Sequence, residues 1–292
     1  MYVVTGVTGN TGAVVAETLL ARGAAVRVLV RNAAKVADWK ARGADIVEGN
    51  VKDADAVARA LDGAEGAYLL DPPDYNSADP VADARVVGAA YAEAMRRTRL
   101  PHAVVLSSIG AQHPDGTGII GTLHILEGAV RAAGRPLTIL RAAYFMENWS
   151  TVLEPALTQG MLPSFMQPVE RVLPMVSVAD IGRTAAELLL AGLQGERVVE
   201  LSGPAEYAPT DAAAIIAEAA GRAVQAVPVP RDQWVPSLTG AGIRPEVAGL
   251  FVGMYDGINS GHVAWEGREA RRGTVTLVQA MKRLLEGRKA AV

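Results

Sequence analysis

The chain has 292 residues, half of them hydrophobic, and a formal net charge of −3. That is enough apolar material for one large core, or for one domain with a smaller lobe, and the lack of any basic run argues against nucleic acid or an anionic membrane as a partner. There are no cysteines, which excludes disulfides, thiolate catalysis and cysteine–metal sites, and the four histidines His102, His113, His124 and His262 lack metal-like spacing. No apolar run is long enough to span a bilayer, and the first residues enter a strand at once, so a cytoplasmic location without a signal peptide is expected.

Residues 2–5 are apolar or β-branched and predict a short buried strand. Gly6, Gly9 and Gly12 follow in a G-x-x-G-x-x-G spacing, and residues 13–20 continue as a helix. In a strand–turn–helix each glycine has a task. Gly6 permits the sharp turn, Gly9 lets a pyrophosphate approach the backbone, and Gly12 lets the helix pack on the strand. Open N–H groups at the helix start suit phosphates, and Thr8, Asn10 and Thr11 can add side-chain hydrogen bonds. An ordinary glycine turn is the alternative; a second strand at 25–30 favours dinucleotide binding.

That strand runs into Arg31 and Asn32, with Lys35 one turn on. An NAD enzyme would offer an Asp or Glu here to the ribose 2′-OH, whereas a guanidinium suits a 2′-phosphate. NADP(H) is therefore expected rather than NAD(H), the alternative being a solvated basic residue. A helix over 34–42 and a strand over 44–49 come next. The turn at Asn50 and Val51 is placed against the adenine, with a plain turn role for Asn50 equally open. Asp53 caps a helix that ends at 62–63. A strand at 67–70 leads into Asp71-Pro72-Pro73, so Leu70 and Asp71 are expected beside the cofactor ribose. A long helix over 80–98, a strand at 103–106 ending in Ser107-Ser108-Ile109-Gly110, a helix over 120–133 and a strand at 137–140 complete the alternation. This is the pattern of an α/β protein with a doubly wound parallel Rossmann sheet.

From residue 142 the character changes. Tyr144, Phe145 and Trp149 stand close together in a chain that is only 5% aromatic. They form either a slot for a flat substrate facing the nicotinamide or a hydrophobic cover at a hinge. Short strands at 172–176, 198–201 and 223–229 are expected among helices at 181–191, 210–221, 231–259 and 274–287. The expected division is an NADP(H)-binding Rossmann domain over 1–150, with the strand near 198–201 returning to its sheet. Residues 151–292 are expected to form a smaller, mostly helical C-terminal lobe.

These features together resemble the NmrA-like branch of the atypical short-chain dehydrogenase/reductases. The marks are Thr5-Gly6-x-x-Gly9-x-x-Gly12, Val30-Arg31-Asn32, Ser107-Ser108-Ile109-Gly110, and Leu140-Arg141 followed by Phe145-Met146-Glu147-Asn148. Val178-Ala179-Asp180-Ile181-Gly182, Leu201-Ser202-Gly203-Pro204 and Arg272-Gly273-Thr274 continue them. Their order and spacing carry the resemblance over nearly the whole chain. The family holds NADPH-dependent quinone and dye reductases as well as redox-sensing regulators, so the resemblance implies fold and cofactor more firmly than turnover. Typical short-chain dehydrogenases use a Ser and a Tyr-x-x-x-Lys, with the Tyr as general acid. No Tyr-x-x-x-Lys occurs here; Ile120 stands at the Tyr position and His124 at the Lys position. Ser107, Ser108 and His124 are thus the candidate catalytic residues. Ser107 and His124 are also assigned to the cofactor, a half-buried helix histidine being the alternative for His124, and Glu127 either orients that histidine or is simply solvated. Without a tyrosine acid a simple ketone is a poor substrate, because its alkoxide product needs a proton. A quinone or cationic dye delocalises or neutralises that charge. The expected function is hydride transfer from NADPH to a small conjugated acceptor. The alternative is a non-catalytic NADP(H)-binding sensor with a protein partner. No metal is expected.

Overall fold

The computed structural model describes residues 1–192 and 194–290. Its first half alternates short apolar strands with helices. These are β1 (Tyr2–Thr5), α1 (Asn10–Ala21), β2 (Val26–Val30), α2 (Ala37–Ala41), β3 (Asp45–Glu48), α3 (Ala54–Leu61), β4 (Gly66–Leu69), α4 (Pro80–Arg97), β5 (Ala103–Ser108), α5 (Ile120–Arg131) and β6 (Leu137–Ala142). The second half is less regular: β7 (Tyr144–Phe145), α6 (Leu153–Gln159), β8 (Met161–Ser164), β9 (Leu173–Val176), α7 (Val178–Ala191), β10 (Glu196–Ser202), β11 (Glu206–Tyr207) and α8 (Pro209–Ala220). It closes with β12 (Gln225–Pro228), α9 (Trp234–Gly240), α10 (Pro245–Ser260), β13 (Glu269–Arg272) and α11 (Leu277–Ala290).

Among the described residues, eight strands form one sheet in the order β13-β10-β6-β5-β4-β1-β2-β3. Every neighbouring pair is parallel. Strands buried on both faces need apolar residues on both, and that is why they read as continuous hydrophobic runs. Val4, Val28, Tyr68, Val104 and Leu140 pack with Val15, Leu19, Ile181 and Leu188 of α1 and α7. Val3, Leu29, Leu69, Val105 and Ile139 pack on the opposite face with Leu61, Tyr91, Met95, Leu126 and Val130 of α3, α4 and α5. The chain thus has the expected doubly wound sheet. Its order reverses between β1 and β4, so a crevice opens at the carboxyl ends of these strands.

The two halves interweave. α7, β10 and β13 all belong to the sheet and its helical layers, although they lie beyond residue 150. The rest of the second half has its own core around Met146, Trp149, Leu162, Met175, Ile216 and Met281. That lobe is helical with a three-stranded sheet, β11-β9-β7, and a parallel pair, β12-β8. Two local expectations are corrected. Residues 34–42 form a 3-10 turn at Ala33–Val36, capped by the Asn32 side chain, and only then α2. The stretch 231–259 is two helices, and β13 was not foreseen, because Glu-Ala-Arg-Arg carries no apolar alternation and pairs with β10 through backbone alone. Among the described residues no helix is long and apolar enough to cross a membrane.

Candidate active site

The turn after β1 is built for an anion. Gly6 adopts φ +69°, a left-handed conformation disfavoured for residues with a Cβ. The Gly9 N–H donates to the Gly6 carbonyl at 2.9 Å. A Cβ on Gly12 would stand 2.3 Å from that same carbonyl oxygen, so α1 leaves the turn as close to the strand as backbone allows. No side chain caps α1 and no acidic residue lies in its first turn. Thr8, Gly9 and Asn10 are exposed around this end. Open N–H groups, a positive dipole end and a cradle that a Cβ would crowd together fit a pyrophosphate.

Thr11 departs from its expected role. It is buried, and its Oγ1 accepts the Tyr68 hydroxyl at 3.0 Å, so its side chain serves the sheet core and leaves only its N–H for a ligand. Thr5 ties β1 to β4, donating to the Tyr68 carbonyl and accepting the Leu70 N–H. Leu70 lies against Gly6, and its carbonyl accepts the Tyr91 hydroxyl at 2.7 Å. Arg31 and Lys35 are exposed beyond the end of β2. Asn50 caps its own turn, its Oδ1 accepting the Lys52 N–H at 3.0 Å, and Val51 packs on the core beneath. Asp71, partly buried beyond β4, is pushed up to about 6, chiefly by burial, with Asp83 adding and Lys52 opposing.

The residues expected to perform chemistry at the ends of β5 and α5 are differently employed. Ser107 is 2% exposed and its hydroxyl donates to Glu127 Oε1 at 2.6 Å. Glu127 is wholly buried and receives both Nε and Nη2 of Arg141, at 2.9 and 2.7 Å, and Arg131 at 2.9 Å. Burial opposes its ionisation, but these donors win and hold its carboxyl below the usual range. Arg141 also reaches Glu266, and Glu200 accepts the N–H groups of residues 266–268. Ser108 donates to the Ile109 carbonyl. His124 uses Nδ1 against the Ala111 carbonyl at 2.9 Å. It faces, with Glu127, Arg131 and Arg141, a charged cavity of about 450 Å³ on the flank of α5. Glu127 therefore orients Arg141 and Ser107, and no hydrogen bond joins it to His124.

The aromatic cluster divides. Trp149 is 3% exposed and belongs to the core of the lobe, so it offers no open face to a flat substrate. Phe145 packs toward the sheet, and Tyr144 toward the lobe, with its ring 6.4 Å from Trp149. A different set of rings spans the strand ends. Tyr75, in the loop after β4, lies 6.0 Å from Phe251 of α10. One turn further along α10, Tyr255 stacks 5.0 Å from Phe165, and its hydroxyl lies 3.4 Å from that of Tyr144, just past β6. Tyr75 thus follows β4 and Tyr144 follows β6, the strands on either side of β5. Phe251 and Tyr255 at i, i+4 were a visible sign of one helix face, but nothing local tied them to Tyr75 or Tyr144. Burial raises both phenols of the pair, Tyr255 well above the ordinary range. Among the described residues no His, Asp and Glu group is placed to hold a metal.

The sequence matches the NmrA-like family over residues 2–257. It is 26% identical to an NAD(P)H azoreductase of Xenophilus azovorans, over 87% of this chain and 86% of that protein. It is 30% identical to a (4-alkanoyl-5-oxo-2,5-dihydrofuran-3-yl)methyl phosphate reductase of Streptomyces griseus, over 76% of this chain and 74% of that protein. An NADPH-dependent quinone oxidoreductase from Escherichia coli, solved in complex with NADPH, shares the fold with a TM-score of 0.82 and 22% identity, covering 98% of this chain and 100% of that one. With its glycine turn, strand order and these matches in agreement, the chain belongs to the NmrA-like family.

Proposed function

We propose that this protein is an NADPH-dependent reductase that delivers a hydride to a small conjugated acceptor. What carries the reading is the uncapped α1 terminus beneath the Gly6 turn, placed where the strand order reverses. The N–H groups of the first turn of α1 hold the pyrophosphate. Arg31 and Lys35 would meet the 2′-phosphate, and Leu70 and Asp71 would lie beside a cofactor ribose. Bound NADPH supplies the hydride. Ser107 is held by Glu127 and Ile120 stands at the Tyr position, so the α5 edge lacks the acid that reduction of a simple ketone requires. A quinone, an azo compound and an acyl-substituted oxo-dihydrofuran, as named for the relatives, all carry conjugated systems that spread the incoming charge. A cysteine-free chain of this kind suits the cytoplasm.

The test is NADPH oxidation in the presence of a para-benzoquinone, an azo dye, a triphenylmethane cation and a saturated ketone. Turnover with the conjugated acceptors is expected, and faster than with the ketone. Tight NADPH binding without turnover on any of them would move the protein to the regulatory class.

A further inference from the structure

We propose that Tyr144 is the proton donor to the reduced acceptor, with Tyr255 holding its oxygen; this rests on the reductase reading above. The place is set by topology. Tyr144 follows β6 by two residues, at the strand edge where Ser107, Ser108 and the Gly6 turn end their strands. Its register partner is Met175 of β9, which fixes its backbone. The hydroxyl lies 3.4 Å from that of Tyr255, and both residues are half-buried. At that separation one phenol donates to the other and the second keeps its own proton free. A catalytic hydrogen bond of this length in an empty site is ordinary, since such contacts tighten around substrate.

The order within the pair follows from their surroundings. Tyr255 is wedged among Phe165, Trp234 and Phe251 in the lobe, with ring distances of 5.0 Å to Phe165 and 6.2 Å to Trp234. Burial presses its proton on hardest, and the Tyr144 phenol only adds to that. Burial raises the Tyr144 phenol as well, but there Tyr255 and Asn148 oppose it by stabilising the ionised form. Tyr144 is the more acidic member and Tyr255 the donor behind it. The chemistry balances. The acceptor gains two electrons with the hydride while the dihydronicotinamide is oxidised, and an electron pair is left on the acceptor oxygen. The Tyr144 O–H bond breaks, a new O–H bond forms on that oxygen, and the tyrosinate recovers its proton from water. An acid is needed only where the acceptor ends as an oxyanion. A triphenylmethane cation takes hydride at carbon and becomes neutral without a proton.

The experiment compares the wild type with Tyr144→Phe and Tyr255→Phe on a para-benzoquinone and on a triphenylmethane cation. With the quinone, Tyr144→Phe should lower kcat about tenfold or more. That is the lower end of the ~10²–10⁴-fold typical of a general acid, because the quinone spreads much of the charge. Tyr255→Phe should lower it less, and in both variants the loss with the cation should be well below the loss with the quinone. A second readout needs no turnover. Quenching of tryptophan emission by the quinone in the absence of NADPH should show about fivefold weaker binding in Tyr144→Phe, the worth of one hydrogen bond, and a smaller change for the cation. Equal losses with both acceptors, or none with either, would overturn the assignment and leave the reductase reading intact. A wild type that turns over neither acceptor would overturn both.

Discussion

At the scale of single residues, exposure decides how a charge is used. Arg31 stands free at the end of β2, and its neighbour Asn32 is spent on capping the 3-10 turn, its Oδ1 accepting the Ala34 N–H at 2.9 Å. The nearby acid, Glu48, accepts the Ala33 N–H. The guanidinium is therefore the group left to meet a 2′-phosphate. A charge-assisted hydrogen bond contributes about 1.5–3 kcal/mol, so Arg31→Asp should weaken NADPH binding by roughly tenfold or more while NADH binding changes little. Equal affinity of the wild type for NADPH and NADH would refute the assignment. Asp71 makes the opposite case, a carboxyl that burial holds in its protonated form up to about 6. Its folded value lies above the unfolded one, so between about pH 4 and pH 6 the native state binds more protons than the unfolded chain. Stability therefore falls as pH rises through that window and then levels off. Asp71→Asn should remove this cost, which two pKa units place at roughly 3 kcal/mol at most. The variant should melt higher than the wild type at pH 7 and together with it near pH 4. A melting difference that does not change with pH would show that Asp71 is not the group responsible.

At the scale of elements, the charged network does the work of a bracket. Glu127 of α5, Arg141 of β6 and Glu266 of the loop before β13 are bonded in series, with Ser107 of β5 donating at one end. The side chains of Glu127 and Arg141 are 1% and 3% exposed. Glu127→Gln leaves that guanidinium partly uncompensated in a dry site, and breaking such a pair costs about 3–5 kcal/mol. Ser107→Ala removes one hydrogen bond, about 1 kcal/mol, and should alter the reductase rate far less than the ~10²-fold loss of a general acid. Thermal melts and quinone rates on the two variants check this, and a large rate loss in a Ser107→Ala protein of normal stability would return Ser107 to the chemistry. The Gly6–Gly12 turn was legible in sequence because its chemistry is local: strand, turn and helix are adjacent in the chain. The locked state of Ser107 was not, because it depends on burial and on partners twenty and thirty-four residues away. Phe145 and Trp149 misled for a related reason. Adjacent aromatic residues share no face once a two-residue strand passes into a 3-10 turn, and these pack into different cores.

At the scale of the whole molecule, the proposed acceptor side brings together residues of the lobe and of the strand ends. Tyr75 and Tyr144 come from the sheet side, Phe251 and Tyr255 from α10, and no stretch of sequence contains both. Two backbone hydrogen bonds tie α10 and its start to the loops that follow the strands. The Ile119 N–H donates to the Leu250 carbonyl at 3.0 Å, and the Arg244 N–H donates to the Tyr75 carbonyl at 2.9 Å. Gly118 lies at the first of these joints with φ +56°, and a Cβ there would stand 2.0 Å from the Leu250 oxygen and 2.3 Å from the Met254 nitrogen. Neither neighbour is a side-chain end that can swing aside. Gly118→Ala must therefore push α10 away from the loop that follows β5, and Phe251 and Tyr255 go with it. The Gly6 turn, α1 and Arg31 lie on the far side of β4 from this joint and keep their geometry. The expected outcome is a protein that binds NADPH with wild-type affinity yet reduces a quinone with kcat/KM lowered by about tenfold or more, a misplacement of this size being enough to cost up to ~10²-fold. Tryptophan emission should shift as well, since Trp234 packs on Phe165 and Tyr255. If Gly118→Ala lost NADPH affinity in proportion to activity, α10 would be supporting the nucleotide half instead, and the acceptor side would have to be sought elsewhere along the strand ends.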